Sequence, residues 1–139
     1  MSAKETKTVL DRWWDEVWIK KNLAIADELL AENVVLHNFG AIVEGREAWK
    51  QTMAPFFTGF PDLDIPIEFT VAEGDRIAVR WKATGTHTGD FRGIAPTGKR
   101  ISIAGVAVAR VAGGKIVEIW SQPDTLGLLQ QLGVIPAAG

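Results

Sequence analysis

The chain has 139 residues, with fifteen Lys and Arg against seventeen Asp and Glu and a net charge of −2. This length fits one domain over residues 1–139, with enough apolar residues for a core of its own. The charges are nearly balanced and form no block of one sign, which argues against nucleic acid or an anionic membrane as a partner.

The composition also excludes several kinds of site. There is no Cys and no Tyr, and there are only two His. A thiol nucleophile, a disulfide and a thiolate zinc site are therefore impossible. His37 and His87 cannot form a three-histidine metal site, so we expect no metal. A charged N-terminus and the lack of a membrane-length apolar run predict a cytoplasmic protein.

The first part of the chain has the periodicity of helices. Bulky apolar residues spaced four apart predict a helix over residues 5–20 with one buried face. A second helix is predicted over residues 23–31, with Asn22 as its N-cap, and a third over residues 45–57, bent at Pro55. Between these two helices, residues 34–36 are predicted to form a short strand that leads to His37.

The second part of the chain is typical of a sheet. Strands are predicted over residues 65–72, 77–86, 100–111 and 115–122, with antiparallel neighbours because their connections are short. A last helix is predicted from Asp124, its N-cap, to Leu132, with Gly133 just beyond its end. Helices followed by strands indicate an α+β fold. The strand over residues 100–111 is apolar on both faces, so we expect a homodimer in which the partner covers the face that the helices leave open.

Three passages of the sequence resemble those of a known protein family. They are GTHTGDFRGIAPTGKR at residues 85–100, GGKIVEIW at 113–120 and DTLGLLQQLG at 124–133. Together with GREAWKQ at 45–51 and FPDL at 60–63, they resemble the SnoaL-like polyketide cyclase, or ester cyclase, family of the nuclear-transport-factor-two-like fold. The resemblance covers nearly the whole chain. It implies a cone-shaped α+β barrel, in which a curved antiparallel sheet wraps on the N-terminal helices around one deep apolar cavity.

The resemblance also implies an activity: cofactor-independent aldol cyclisation, or a related proton transfer, on a hydrophobic carbonyl-containing small molecule. The acid–base group of the family cyclases is an Asp on the last strand, and Ser121 stands at the matching position. Gly105, Ala107 and Ile119 stand where cyclases have polar side chains. The fold and the cavity are therefore expected to carry over, whereas the acid–base step requires another group.

The candidate catalytic residues are His37, His87 and Asp124. His37 is the best remaining general base, although a polar group in a pocket can instead orient the ligand. His87 either acts at the cavity mouth or ties its own turn to a backbone carbonyl. Asp124 either acts as an acid or only caps the last helix. Asp62 and Asp64 fit solvated turn residues.

The expected ligand contacts are the aromatic and small residues of the cavity wall: Trp14, Trp18, Trp49, Met53, Phe56, Phe60, Trp81, Gly105, Ala107, Ile119 and Ser121. The register of Ser121 depends on the turn at residues 113–114. A strict two-residue turn pairs it with Val106, and one bulge moves its partner to Gly105.

Three functions remain open from the sequence. The first is an enzyme in which the acid–base role has moved away from position 121. The second is a non-catalytic module of the same fold that binds or carries an apolar ligand. A ketosteroid-isomerase-like reaction is the weakest of the three, because that chemistry commonly uses a Tyr and the chain has none.

Overall fold

The computed structural model describes residues 2–38 and 40–136. The helices are α1 (Ala3–Trp14), which continues into a π-helical segment (Asp15–Ile19), a 3₁₀ turn (Leu23–Ile25), α2 (Ala26–Leu29), α3 (Arg46–Gly59) and α4 (Thr125–Leu132). The strands are β1 (Leu30–Asn38), β2 (Ala41–Glu44), β3 (Ile67–Glu73), β4 (Arg76–Thr86), β5 (Arg100–Ala112) and β6 (Lys115–Pro123). No helix in the described ranges is long and apolar enough to span a membrane.

Helix α1 begins at a capping box. The Glu5 amide donates to the Ser2 hydroxyl over 3.1 Å, and the Glu5 carboxylate accepts from the Ser2 backbone N–H. The helix buries Leu10, Trp13 and Trp14 on one face, as its sequence periodicity predicts. Burial of this bulky face against the sheet fixes α1 as the inner wall of the domain.

The second predicted helix is confirmed over residues 23–29 but ends two residues earlier than predicted. Only a 3₁₀ turn and the four residues of α2 are helical, and Asn22 makes no side-chain capping bond. Leu30 already belongs to β1, where it pairs with Ile116 of β6. Pairing with a strand distant in sequence overrides the local helical pattern. Helix α3 is confirmed, and it continues through Pro55 to Gly59.

The six strands form one sheet in the order β2-β1-β6-β5-β4-β3. The predicted antiparallel pairing of β3 to β6 is confirmed, but β1 and β6 run parallel, and β2 was not predicted. The rule that short connections give antiparallel pairs does not apply to β1 and β6, because most of the chain lies between them. The sheet is not closed, since β2 and β3 form its two edges.

A β-bulge in β6 sets which side chains face inward. Val111 pairs with Ile116 but Arg110 pairs with Glu118, so Val117 is an extra residue on β6. Ser121 consequently lies opposite Ala107. Neither register expected from the sequence is correct, because the extra residue is on β6 and not on β5. The bulge turns Glu118 outward and brings Ser121 to the inner face.

The inner face of the sheet packs against α1, α3 and α4. On β5, Ile101, Ile103 and Ala109 are buried in this core, while Val106 on the opposite, outer face is 38% exposed. The prediction that β5 is apolar on both faces is confirmed. A second subunit on the outer face stays a prediction.

Candidate functional site

A cavity lies between the helices and the inner face of the sheet. Its volume of about 110 Å³ is several times the roughly 10–15 Å³ that a single water requires. Every residue predicted to contact a ligand lines it except Gly105; these residues are Trp14, Trp18, Trp49, Met53, Phe56, Phe60, Trp81, Ala107, Ile119 and Ser121. The wall is therefore mostly aromatic and aliphatic, which suits an apolar ligand.

Gly105 supports the wall from behind. It pairs directly with Trp81 across β4 and β5, and a Cβ at this position would collide with the Trp81 indole ring. The missing side chain lets the indole lie flat over β5 and form the cavity surface. Gly105 thus acts through Trp81 and does not itself line the cavity.

Among the described residues of the wall, the polar side chains that interrupt its aromatic and aliphatic surface are Asn38 and Ser121. They are register partners on the parallel strands β1 and β6. The side-chain oxygen of Asn38 is buried and has no hydrogen-bond partner among the described residues. An amide offers both an acceptor and donors, and a hydroxyl offers both as well, so this pair can bind a carbonyl or a hydroxyl group of a ligand.

One indole of the wall is already hydrogen-bonded, and titratable groups lie elsewhere. The Trp14 indole N–H donates to the backbone oxygen of Ile65 over 2.8 Å. Among the described residues that line the cavity, none is Asp, Glu, His, Lys or Arg. Acid–base chemistry inside the cavity would therefore use neutral hydrogen-bonding groups of this wall.

The cavity opens at one end of the domain. The lining residues Trp18, Asn38, Phe56 and Ser121 are partly exposed, and each lies near the C-terminal end of its element. Strands β1 and β6 run parallel, so their C-terminal ends lie together. We call this end, defined by these four residues, the mouth.

The orientation of the helices agrees with a mouth at this end. At the opposite end, the Thr6 hydroxyl of α1 donates to the backbone oxygen of Gly74 in the β3–β4 turn. Arg46 at the start of α3 donates to the backbone oxygen of Leu30 at the start of β1. The C-terminal ends of both helices therefore point toward the mouth.

His37 is not in the cavity. Its neighbours Leu36 and Asn38 both line the cavity, so strand alternation directs His37 to the outer face. There its Nε2 lies 2.6 Å from Oε2 of Glu118, and its ring stacks on Trp120 with centroids 5.2 Å apart. This corrects the expected placement of His37 as a cavity base.

Glu118 connects His37 to Arg110, whose guanidinium lies 3.2 Å from the other carboxylate oxygen. The hydrogen bond from His37, and then the one from Arg110, hold the pKa of Glu118 below its ordinary value, although partial burial opposes this shift. The carboxylate is thus kept ionised at the centre of an outer-face cluster.

His87 is fully buried and has a structural role in its turn. Its Nδ1 accepts from the Thr97 backbone N–H over 3.2 Å and lies 3.0 Å from the Thr97 hydroxyl. Its backbone pairs with Lys99 and Gly98. The ring therefore accepts a bond from the loop, whereas the sequence suggested donation to a backbone carbonyl. His87 packs behind Phe60, at 5.4 Å between ring centroids, and does not line the cavity.

Asp124 caps α4, which confirms the simpler of its two interpretations. Its Oδ1 accepts from the Gly127 N–H over 2.8 Å, and Gly133 beyond the helix adopts the predicted left-handed conformation. Asp62 does more than the sequence suggested, since it accepts from both the amide and the hydroxyl of Thr86, which lowers its pKa. Neither carboxylate lines the cavity.

Asn38 is the one polar wall residue that sequence reasoning missed. Asn38 alternates with the apolar residues Val34 and Leu36 of β1, but Val35, which alternates with His37, is apolar as well. Which face of β1 is buried becomes evident only from its pairing with β6.

The family model described as SnoaL-like polyketide cyclase matches residues 8–132. Among curated proteins, none matches this chain. A solved structure from Jannaschia sp. CCS1, provisionally described as a SnoaL-like polyketide cyclase, is 25% identical, with a TM-score of 0.88, over 96% of this chain and 95% of that one.

Two further solved structures are similar. AclR from Streptomyces galilaeus, provisionally described as a hydroxylase, is 30% identical with a TM-score of 0.88, over 99% of this chain and 87% of that one. A provisionally described polyketide cyclase from Acidithiobacillus ferrooxidans is 30% identical with a TM-score of 0.81, over 94% of this chain and 95% of that one. The predicted α+β, nuclear-transport-factor-two-like fold is confirmed. With the family model matched over most of its length, the chain belongs to the SnoaL-like polyketide cyclase family.

Proposed function

We propose that this chain binds a flat, hydrophobic small molecule that carries a carbonyl group. Its rings lie among the aromatic residues of the cavity, and its carbonyl accepts hydrogen bonds from Asn38 and Ser121. The observation that carries this proposal is the pair itself: the amide of Asn38 and the hydroxyl of Ser121, which both offer donors, lie side by side in a wall that is otherwise apolar. A few polar groups in an apolar pocket are what orient a ligand.

Two reasons favour ligand binding over any particular reaction as the first proposal. The three residues with catalytic chemistry that the sequence offered, His37, His87 and Asp124, all lie outside the cavity lining. In addition, the similar chains include two described as polyketide cyclases and one described as a hydroxylase, so the fold accommodates more than one chemistry. The shared requirement is a cavity that holds a hydrophobic molecule in one orientation.

Cofactor-independent aldol cyclisation, or a related proton transfer, is the second candidate. Family membership favours it. In such a reaction negative charge develops on the carbonyl oxygen, and neutral donors placed at that oxygen stabilise it. Asn38 and Ser121 would act in this way, while the cavity holds the substrate in its reactive conformation.

A matched pair of ligands tests the proposal. Wild-type protein is titrated with 1-tetralone, a flat bicyclic ketone, and with tetralin, which lacks the carbonyl, with tryptophan fluorescence and calorimetry as readouts. We expect 1-tetralone to bind more tightly, by roughly 2- to 12-fold for one neutral hydrogen bond. In Asn38→Leu and Ser121→Ala this preference should shrink, while tetralin binding persists.

Two variants serve as controls. Asn33→Leu and Ser102→Ala make the same changes at exposed positions of β1 and β5 that do not line the cavity. Both should bind the two ligands as wild type does. If neither ligand binds wild type, or if the ketone preference survives in both cavity variants, the proposal is wrong.

A further inference from the structure

We propose that Arg92 forms an anion-binding position at the mouth, so that the ligand of this cavity carries a carboxylate, or a similar anionic oxygen, on the end nearest solvent. This inference rests on the proposed function, because it describes another part of the same ligand. Arg92 lies outside the cavity lining, in the passage over residues 85–100, and the resemblance implies no role for it.

Arg92 lies in a turn that suits other residues better. Phe91 and Ile94 pair through two backbone hydrogen bonds of 3.0 and 2.8 Å, and between them Arg92 and Gly93 have φ angles of +49° and +85°. A two-residue turn with both φ angles positive strongly prefers Asn-Gly. Side chains with a Cβ rarely adopt the left-handed conformation, so Arg here is sterically disfavoured.

The strained turn aims the guanidinium at the rim of the cavity. Its central carbon lies 5.1 Å from the ring centroid of Phe56 and 5.3 Å from that of Phe91. Phe56 lines the cavity and is partly exposed at the mouth. Contact with two aromatic faces holds the cation in place. A ligand that lies against Phe56 therefore has this guanidinium beside its outer end.

Within the part of the chain that the structure describes, no residue accepts a hydrogen bond from the Arg92 guanidinium. No carboxylate of the described residues lies within 4.0 Å of Arg92, although other arginines of the chain, such as Arg80 and Arg110, have such partners. A guanidinium positioned by aromatic rings, and not by a carboxylate, keeps its N–H groups available for an external anion.

The charge of the cavity wall decides where an anionic group can sit. The described lining residues are all neutral, so a carboxylate placed deep inside would lose its hydration without compensation. At the mouth it would remain partly hydrated and could form a bidentate pair with Arg92. The structure therefore fits an amphipathic ligand, with an apolar ring system inside and an anionic end outside.

The test uses 2-naphthoate and 2-naphthamide, which differ little in shape but differ in charge. Calorimetric titrations are made with wild type, Arg92→Asn and Lys99→Asn. We expect wild type to bind naphthoate at least about tenfold more tightly than Arg92→Asn does, as for a charge-assisted pair. Naphthamide should bind both proteins equally.

The two variants separate charge from structure. Asn suits the turn, so Arg92→Asn should have the same or a higher melting temperature. Lys99→Asn removes one positive charge from the same loop, but the Lys99 side chain lies beside Gly133 and not beside Phe56. It should leave naphthoate affinity unchanged, and it also controls for the change in net charge.

Each contrary outcome has a distinct meaning. If Arg92→Asn binds naphthoate as wild type does, if Lys99→Asn loses as much affinity, or if Arg92→Asn loses affinity for naphthamide equally, the anion-binding position is wrong while the cavity proposal stands. If neither probe binds wild type, the proposed function is wrong, and this inference is wrong with it.

Discussion

Asn38 and Ser121 lie side by side on the only parallel strand pair within the described sheet, and both side chains line the cavity. This arrangement depends on the bulge at Val117, which brings Ser121 to the inner face opposite Ala107. Position 121, where the resemblance implies an acid–base Asp in family cyclases, thus faces the cavity and holds a hydroxyl.

Restoring a carboxyl group at position 121 should restore acid–base chemistry. We expect wild type to be slow or inactive on an anthracycline-type ester precursor and Ser121→Asp to gain turnover, since a positioned acid–base group contributes roughly 10²- to 10⁴-fold. Product formation measured by chromatography checks this, with Ser121→Asn as a polar control that cannot exchange a proton. Rapid turnover by wild type would contradict it.

The same substitution should also make stability depend on pH. The apolar neighbours Ala107 and Ile119 would raise the folded-state pKa of an Asp at position 121 above its unfolded value. A raised pKa means that the loss of stability in Ser121→Asp is largest above the folded pKa and disappears below the unfolded one. Urea unfolding between pH 4 and 8 measures the difference in the free energy of unfolding between Ser121→Asp and wild type. A difference that does not change with pH would disprove the prediction.

The wall at Trp81 depends on the missing side chain of Gly105. In Gly105→Ala, the new Cβ collides with the six-membered ring of the indole, and we expect a loss of about 1–3 kcal/mol in the free energy of unfolding. Trp81→Phe removes the ring atoms that the Cβ would meet. The double variant should therefore be more stable than the sum of the two single changes predicts. Strict additivity in urea unfolding would show that the two positions do not interact in this way.

Glu118 should contribute stability that acid removes. Its pKa is lowered in the folded state, first by His37 and then by Arg110, so its contribution is fully present above the unfolded pKa of about 4.3 and is lost as the pH falls through the folded pKa. We expect Glu118→Gln to cost roughly 1.5–3 kcal/mol near neutral pH and progressively less below pH 4.

A second carboxylate provides the comparison for Glu118. Glu68 pairs with Arg80 and Lys82, but these partners are more exposed, at 37% and 60% of their side-chain surface. Glu68→Gln should lower the free energy of unfolding less than Glu118→Gln does, because exposed ion pairs contribute little to stability. Unfolding free energies at several pH values compare the two variants, and an equal cost for both would show that the His37 contact adds nothing.

The features that could be predicted from the sequence are local ones. The apolar stripe of α1 and the Asp124 cap of α4 depend on neighbouring residues, and both are confirmed. The features that were missed depend on partners distant in sequence. The parallel pairing that draws Leu30 into β1 and the extra residue Val117 in β6 have no local signal. His37 was misplaced for the same reason, since its pattern alone does not say which face of β1 is buried.

The outer face of the sheet should form the interface of a homodimer. Large apolar side chains on this face are well exposed, among them Val106 at 38%, Phe69 at 60% and Val71 at 64%. A second copy of the chain would bury this apolar surface. We therefore expect wild type to sediment as a dimer at micromolar concentration and Val106→Lys to shift it toward monomer. Leu126→Lys is the matched control, because Leu126 is 61% exposed but lies on α4, away from this face. A monomeric wild type, or equal dissociation by both substitutions, would rule out an interface centred on β5.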